Sequence, residues 1–269
     1  MHTSVRVFCF FILIFCLPWI STKALAVALE EQEYEQLIQE LTQLLVHKKT
    51  QGFTYFSVQA SPDGYTLKMQ PASLGYVRIK PEALGIKNGD EVNVIQASHQ
   101  FFDKHTKPIA QALFTHSESD VLMLNTTQRY ASESADLTHI EHSLFTAVAQ
   151  VIKAQNALGK VIQIHGYDEE KRATKEAQQA DIILSNGTAF AYPYMQKIQT
   201  CFRDVGQLLV RIYGRDVFEL GGVQNQVGKV LRDRNKLHFL HIEVSQRLRL
   251  QWNDNNMPEA LIQCVLQTS

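Results

Sequence analysis

The sequence predicts an α/β fold: a mostly parallel central sheet flanked by helices, with an N-terminal helix and a small antiparallel hairpin. Three observations carry this. The runs VNVIQA, VLML and VIQI are short and rich in Val, Ile and Leu, as strands buried on both faces are. Each is followed by helix-like sequence, the pattern of βα units. Each also leads into polar residues fit for chemistry, and open α/β sheets bind ligands at the carboxyl ends of their strands.

Residues 1–26 read as a secretory signal peptide. Arg6 gives the positive start, VFCFFILIFCLPWI the apolar stretch, and Ala24-Leu25-Ala26 a small-residue cleavage site. An uncleaved membrane anchor is the alternative, although the apolar run is short for a span of roughly 20 residues. A lipoprotein signal ending at Cys16 is disfavoured by the bulky Phe15 before it. The expectation is an exported chain, periplasmic or secreted, with no stable membrane insertion after cleavage. Cleavage removes two cations, Arg6 and Lys23, and no acid from a chain of net charge −1. The mild acidity that results gives no support to nucleic-acid binding.

Residues 27–90 read as an N-terminal helix and hairpin segment, part of the main domain or appended to it. Over 28–48, Leu37, Ile38, Leu41, Leu44 and Leu45 follow helical spacing, with acids early and lysines late. FTYFSVQA and YTLKMQ flank Ser61-Pro62-Asp63-Gly64, a hairpin signal, and YVRIK forms a further strand. From 91 to 269 strands and helices alternate in a hydrolase-like catalytic domain. Strands are expected at 91–97, 121–125, 161–165, 181–185 and 238–245. Helices are expected at 101–116, 142–157, 169–179, 193–212 and 258–267. GGVQNQVGK lacks the Gly-Lys-Ser/Thr ending of a phosphate loop and reads as an active-site or surface loop. Cys201 and Cys264 remain after cleavage; in an oxidising compartment they could pair, or stay as two buried thiols.

Catalytic zinc commonly takes three ligands from His, Asp, Glu and Cys and keeps one position for water. His99 and Asp103 lie four residues apart, which places both on one face of a helical turn. His165 ends a neighbouring strand and supplies a third ligand. Glu243 sits in the apolar strand HFLHIEV, where a carboxylate is costly unless paired or coordinated, so it is the candidate general base. His241 shares its strand parity. Structural readings compete: Asp103 could favour a helix dipole, and Glu243 could pair with Arg247 or Arg249. Asp136 and His139 are alternative ligands or partners of a ligand histidine, and His139 with His142 could form the metal pair instead. Nucleophilic schemes lack support, since no G-x-S-x-G elbow is present.

The order of these residues resembles that of the zinc carboxypeptidase and N-formylglutamate amidohydrolase superfamily over roughly residues 92–249. The resemblance implies Zn2+ held by His99, Asp103 and His165, a substrate carboxylate bound by Asn125 and Arg129, and Glu243 as base. Two departures are visible. The carboxypeptidase ligand pair is usually His-x-x-Glu, and the Asn-Arg pair there is adjacent, whereas Thr126, Thr127 and Gln128 separate it here. The expected activity is hydrolysis of an amide or peptide bond in a small peptide, an N-acyl amino acid or a cell-wall fragment. The rivals are a non-catalytic exported binding protein of the same fold and a metal-storage or chaperone role.

Overall fold

The apolar runs become the inner strands of one sheet because every residue in them is buried. Val94–Ala97 (β4), Val121–Leu124 (β5) and Ile182–Ser185 (β7) show no exposed position. The computed structural model describes residues 28–132, 135–232 and 237–266. The expected signal peptide at 1–26 lies outside the described residues. Before β4 come helix α1 (Glu31–Leu45) and strands β1 (Phe56–Ser61), β2 (Gly64–Met69) and β3 (Tyr76–Ile79). After it come α2 (Thr106–Thr115), β5, α3 (Leu144–Ala154), β6 (Gly159–Tyr167), α4 (Lys175–Gln179), β7 and α5 (Pro193–Gly206). The chain continues through β8 (Val210–Ile212), α6 (Gln226–Leu231), β9 (Leu237–Ser245), α7 (Gln246–Asn255) and α8 (Glu259–Leu266).

The sheet is mixed, which corrects the expectation of a mostly parallel one. The strand order is β1-β2-β3-β5-β4-β6-β9-β7-β8. The pairs β4–β5, β4–β6, β6–β9 and β7–β8 are parallel. The pairs β1–β2, β2–β3, β3–β5 and β7–β9 are antiparallel. The hairpin is not a separate small sheet, because β3 pairs with β5 and extends the central one.

Several boundaries differ from the sequence reading. The helix expected over 169–179 breaks into a 3-10 turn, Glu169–Lys171, and α4, and the strand expected from 91 starts at Val94. The helix expected over 193–212 stops at Gly206, where Gln207 turns left-handed (φ 53°), and residues 210–212 join the sheet beside β7. The helix expected from 101 starts only at Thr106. Gln246–Asn255, which the sequence reading left unassigned, is helical, with the Ser245 hydroxyl capping its Leu248 N–H.

Helices cover both faces. Leu37, Leu41 and Leu44 of α1, Val148 and Ile152 of α3 and Val227 of α6 pack with Val94, Val161 and Phe239 on one face. Ile109 of α2, Ile198 of α5, Trp252 of α7 and Ile262 of α8 pack with Ile95, Ile162 and Leu240 on the other. Side chains alternate along a strand with a period of two. Positions 163 and 165 of β6 and 241 and 243 of β9 therefore share a face with Val161 and Phe239. The apolar layer under α3 and α6 gives way, toward the strand ends, to glutamine, histidine and glutamate. Cys201 of α5 and Cys264 of α8 form a disulfide, with Cα atoms 5.7 Å apart. Among the described residues, no helix is long and apolar enough to cross a membrane.

Candidate metal centre

The parallel register of β6 and β9 makes His165 and Glu243 direct cross-strand neighbours, and Gln163 and His241 likewise. His99 leaves the end of β4, which pairs with β6 on the other side. The segment after it turns rather than running on as a helix. The N–H groups of Phe102 and Asp103 both bond the His99 carbonyl at 2.8 Å, so a single turn brings Asp103 back beside His99. His99, Asp103 and His165 can each offer one ligand atom with all three within 4.8 Å of one another; His165, His241 and Glu243 satisfy the same condition. All five side chains are buried, from 4% exposed for His99 to 8% for Glu243. They line one cavity of about 520 Å³, whose wall also includes Arg129, Lys171, Arg172 and the Leu220–Asn225 loop.

The His99 ring is held from both sides. Its Nε2 lies 2.8 Å from Asp136 Oδ1, and Thr138 Oγ1 donates to that same oxygen at 2.7 Å. Burial alone would raise the Asp136 carboxyl, but the bonds from His99 and Thr138 and the charge of Arg129 outweigh it and hold it far below the carboxylate range. An ionised carboxylate only accepts, so His99 Nε2 carries the proton. Burial also keeps this ring neutral, with its pKa down at about 4. His99 Nδ1 is then a lone pair, 3.8 Å from Asp103 Oδ2 and accepting from Arg129 Nη1 at 3.1 Å. Arg129 Nη2 is ion-paired with Asp136, and its guanidinium lies against Phe102 and Tyr130, 5.5 and 5.2 Å from their ring centres.

Asp103 Oδ2 faces His165 Nδ1 at 3.2 Å and accepts the Gly166 N–H at 3.2 Å. Burial pushes the Asp103 carboxyl up, and His165 with the Gly166 amide pulls it down further. Burial pushes His165 down, but Asp103 and Glu243 win and its pKa is raised. Gly166 is required here: a Cβ would stand 2.4 Å from the guanidinium of Arg249, which donates to the carbonyls of Val244, Lys104 and Tyr167.

Among the described residues, Glu243 has no ion pair with a lysine or arginine. Arg249 is spent on those carbonyls, and Arg247 on Asp181 and Glu169. His241 Nε2 lies 3.8 Å from Glu243 Oε1. Burial lifts the Glu243 carboxyl to about 7 and drives His241 well below its usual value. Glu243 Oε2 and His241 Nδ1 are buried with no hydrogen-bond partner among the described residues. Orphaned buried polar atoms are costly and call for an explanation such as an ion or water. His241 stacks on His165 at 4.6 Å, and a Cβ at Gly222 (φ 58°) would meet its ring at 2.9 Å. The donors, two imidazoles and a carboxylate with a further imidazole and carboxylate alongside, suit zinc.

The structure thus gathers His99, Asp103, His165, Arg129, Asp136 and Glu243. Half-exposed His139 bonds Asp136 at 3.1 Å. His142 instead stacks on Tyr34 of α1 at 4.6 Å, so it does not join His139 at a metal. Asn125 does not line the cavity: its amide donates to the Ser98 carbonyl and accepts the Thr127 N–H, both at 2.6 Å. Gln163 and Asn225 went unnoticed in the sequence. The signal for Gln163 was there, a buried amide two residues before His165 on the same strand face. Asn225 gave no sign beyond its place in the GGVQNQVG loop.

No family model and no curated protein matches the sequence. Solved structures partly superimpose on it. A bacteriophage poly-gamma-glutamate hydrolase does so at a TM-score of 0.44 and 10% identity, over 78% of this chain and 90% of that one. A zinc-free apo form of YndL gives 0.42 and 18%, over 65% and 73%. The LapA aminopeptidase of Legionella pneumophila gives 0.37 and 13%, over 82% and 56%.

Proposed function

We propose that the chain is a zinc-dependent hydrolase that cleaves an amide or peptide bond in a carboxylate-bearing substrate. The observation that carries this is the meeting of His99, Asp103 and His165 within ligand distance, beside a buried glutamate whose Oε2 has no hydrogen-bond partner among the described residues. His99, Asp103 and His165 would hold the ion, with His99 Nδ1 and His165 Nδ1 the ring nitrogens that face Asp103 Oδ2. Zinc supplies Lewis acidity toward the scissile carbonyl and the attacking water.

The chain's own residues do the rest. Asp136 orients His99 by accepting its Nε2–H. Glu243, with its pKa near neutrality, takes a proton from the attacking water and returns it to the leaving nitrogen. A ligand bond at His99 Nδ1 and donation from Arg129 Nη1 exclude each other. With His99 Nδ1 taken up by a metal, Arg129 Nη1 would be free to donate to a substrate carboxylate, and Lys171 and Arg172 add positive charge to the same cavity wall.

Elemental analysis of the purified chain tests the reading. The expected result is about one zinc per chain, lost in His165→Ala. No metal, with melting unchanged by chelator, would favour the non-catalytic binding protein, because an ion bound to the native state must raise its stability.

A further inference from the structure

Five buried donors face the cavity, and they fall into two sets rather than one. His99, Asp103 and His165 can each bring a ligand atom within 4.8 Å of the other two, and so can His165, His241 and Glu243. Among the described residues, no larger group meets that limit. Two atoms bound to one zinc at about 2.0–2.2 Å lie at most about 4.4 Å apart, so the five cannot all serve the same ion.

His165 belongs to both sets but can serve only one. Its Nδ1 faces Asp103 at 3.2 Å. Its Nε2 is turned inward, 3.3 Å from Ser98 Oγ and 2.9 Å from Gln163 Oε1, an oxygen that also accepts from Asn225, the cap of α6. With His165 given to the first set, His241 and Glu243 remain as a pair.

That pair has the spacing of ligands, not of hydrogen-bond partners. His241 Nε2 and Glu243 Oε1 are 3.8 Å apart, too far for a hydrogen bond and within the span of two metal–ligand bonds. The two residues are only 4% and 8% exposed, and Glu243 Oε2 has no hydrogen-bond partner among the described residues. A buried carboxylate oxygen left in that state is costly, and a cation removes the cost. The His241 ring is fixed in place: it stacks on His165 at 4.6 Å, and Gly222 leaves it space that a Cβ would take.

We propose that His241 and Glu243 form a second divalent-cation site beside the first, with solvent completing the shell. Imidazole and carboxylate together suit zinc. Two protein ligands hold an ion less tightly than three. The first ion, with Arg129, Lys171 and Arg172 on the same cavity wall, also repels a second dication, so this site fills only at higher zinc. Glu243 cannot hold a cation and take a proton at once, so filling the site halts its work as a base. The inference rests on the proposed function in taking His99, Asp103 and His165 as the first set.

Equilibrium dialysis of the purified chain against rising zinc, with the metal counted by elemental analysis, tests this. The wild type is expected to take up one zinc and then, at higher free zinc, a second. His241→Phe keeps an aromatic ring against His165 and should stop at one. Glu243→Gln, which exchanges the charged ligand for an amide of the same shape, should stop at one as well. Turnover by the wild type should fall over the zinc range that fills the second site, and His241→Phe should lose that fall. A wild type that saturates at one zinc overturns the proposal, as does a second zinc bound at wild-type affinity in either variant. His99→Ala separates this outcome from that of the hydrolase reading. One zinc in the wild type, lost in His99→Ala, leaves the hydrolase reading standing and ends this one. A tight zinc that survives His99→Ala but is lost in His241→Phe keeps the His241 site and removes the ligand set of the hydrolase reading. A chain that binds no zinc defeats both.

Discussion

Replacing Glu243 with glutamine separates what this residue contributes to turnover from what it costs in stability. Burial raises its carboxyl from 4.5 to about 7. A folded-state pKa above the unfolded value means that the native chain holds the proton more tightly. The associated stability is fully present below about pH 4.5, declines as pH rises through the interval, and is gone above about 7. At about 1.4 kcal/mol per pKa unit, the metal-free chain at pH 8 carries a penalty on the order of 3 kcal/mol that glutamine does not. Glu243→Gln should therefore outlast the wild type in urea at about pH 8 by up to that amount, and match it at about pH 4. The same variant should keep its zinc and lose turnover of a carboxylate-bearing amide by ~10²–10⁴-fold, the usual worth of a general base. Equal urea midpoints at alkaline pH would show that burial does not hold this carboxyl neutral. Undiminished turnover would remove Glu243 from the chemistry.

Breaking the Cys201–Cys264 bridge with Cys201→Ser should cost about 4 kcal/mol from chain entropy alone, given its sequence separation of 63, and the loss should show as a lower Tm under non-reducing conditions. Asp136→Asn keeps an acceptor for His99 Nε2–H but loses the charge that also holds Arg129; zinc affinity should fall ~10–100-fold in a chelator titration, with little change in far-UV circular dichroism. Gly222→Ala would force a methyl to within 2.9 Å of the His241 ring at a backbone angle of 58° that L-residues disfavour, so melting should drop by about 1 kcal/mol or more.

The βα rhythm after residue 91 was legible because a buried strand has to be apolar on both faces, and the runs at 94–97, 121–124 and 182–185 are. Strand direction was not legible. The pairings β3–β5 and β7–β9 are antiparallel, and nothing in an apolar run records which way its neighbour points. The short strand 210–212 was absorbed into the preceding helix although Gly206 marked its end, because the left-handed turn that stops the helix is made by Gln207, a residue that seldom signals one. Polar residues at the ends of apolar runs pointed to His99, His165 and Glu243, and all three line one cavity. Asn125 went to the backbone instead of the cavity, a choice made by the turn around Thr127 and invisible in its spacing from Arg129.

The sequence by itself determined which side chains are dear to bury, and so which had to be accounted for: an imidazole closing VIQI, a carboxylate inside HFLHIEV. Only the tertiary structure decided their partners. Cross-strand register set His165 against Glu243, one turn of chain returned Asp103 to His99, and a helix cap well downstream placed an amide behind His165. The reason is range: burial is written into local periodicity, whereas a hydrogen bond's direction depends on groups that meet only when the sheet has formed.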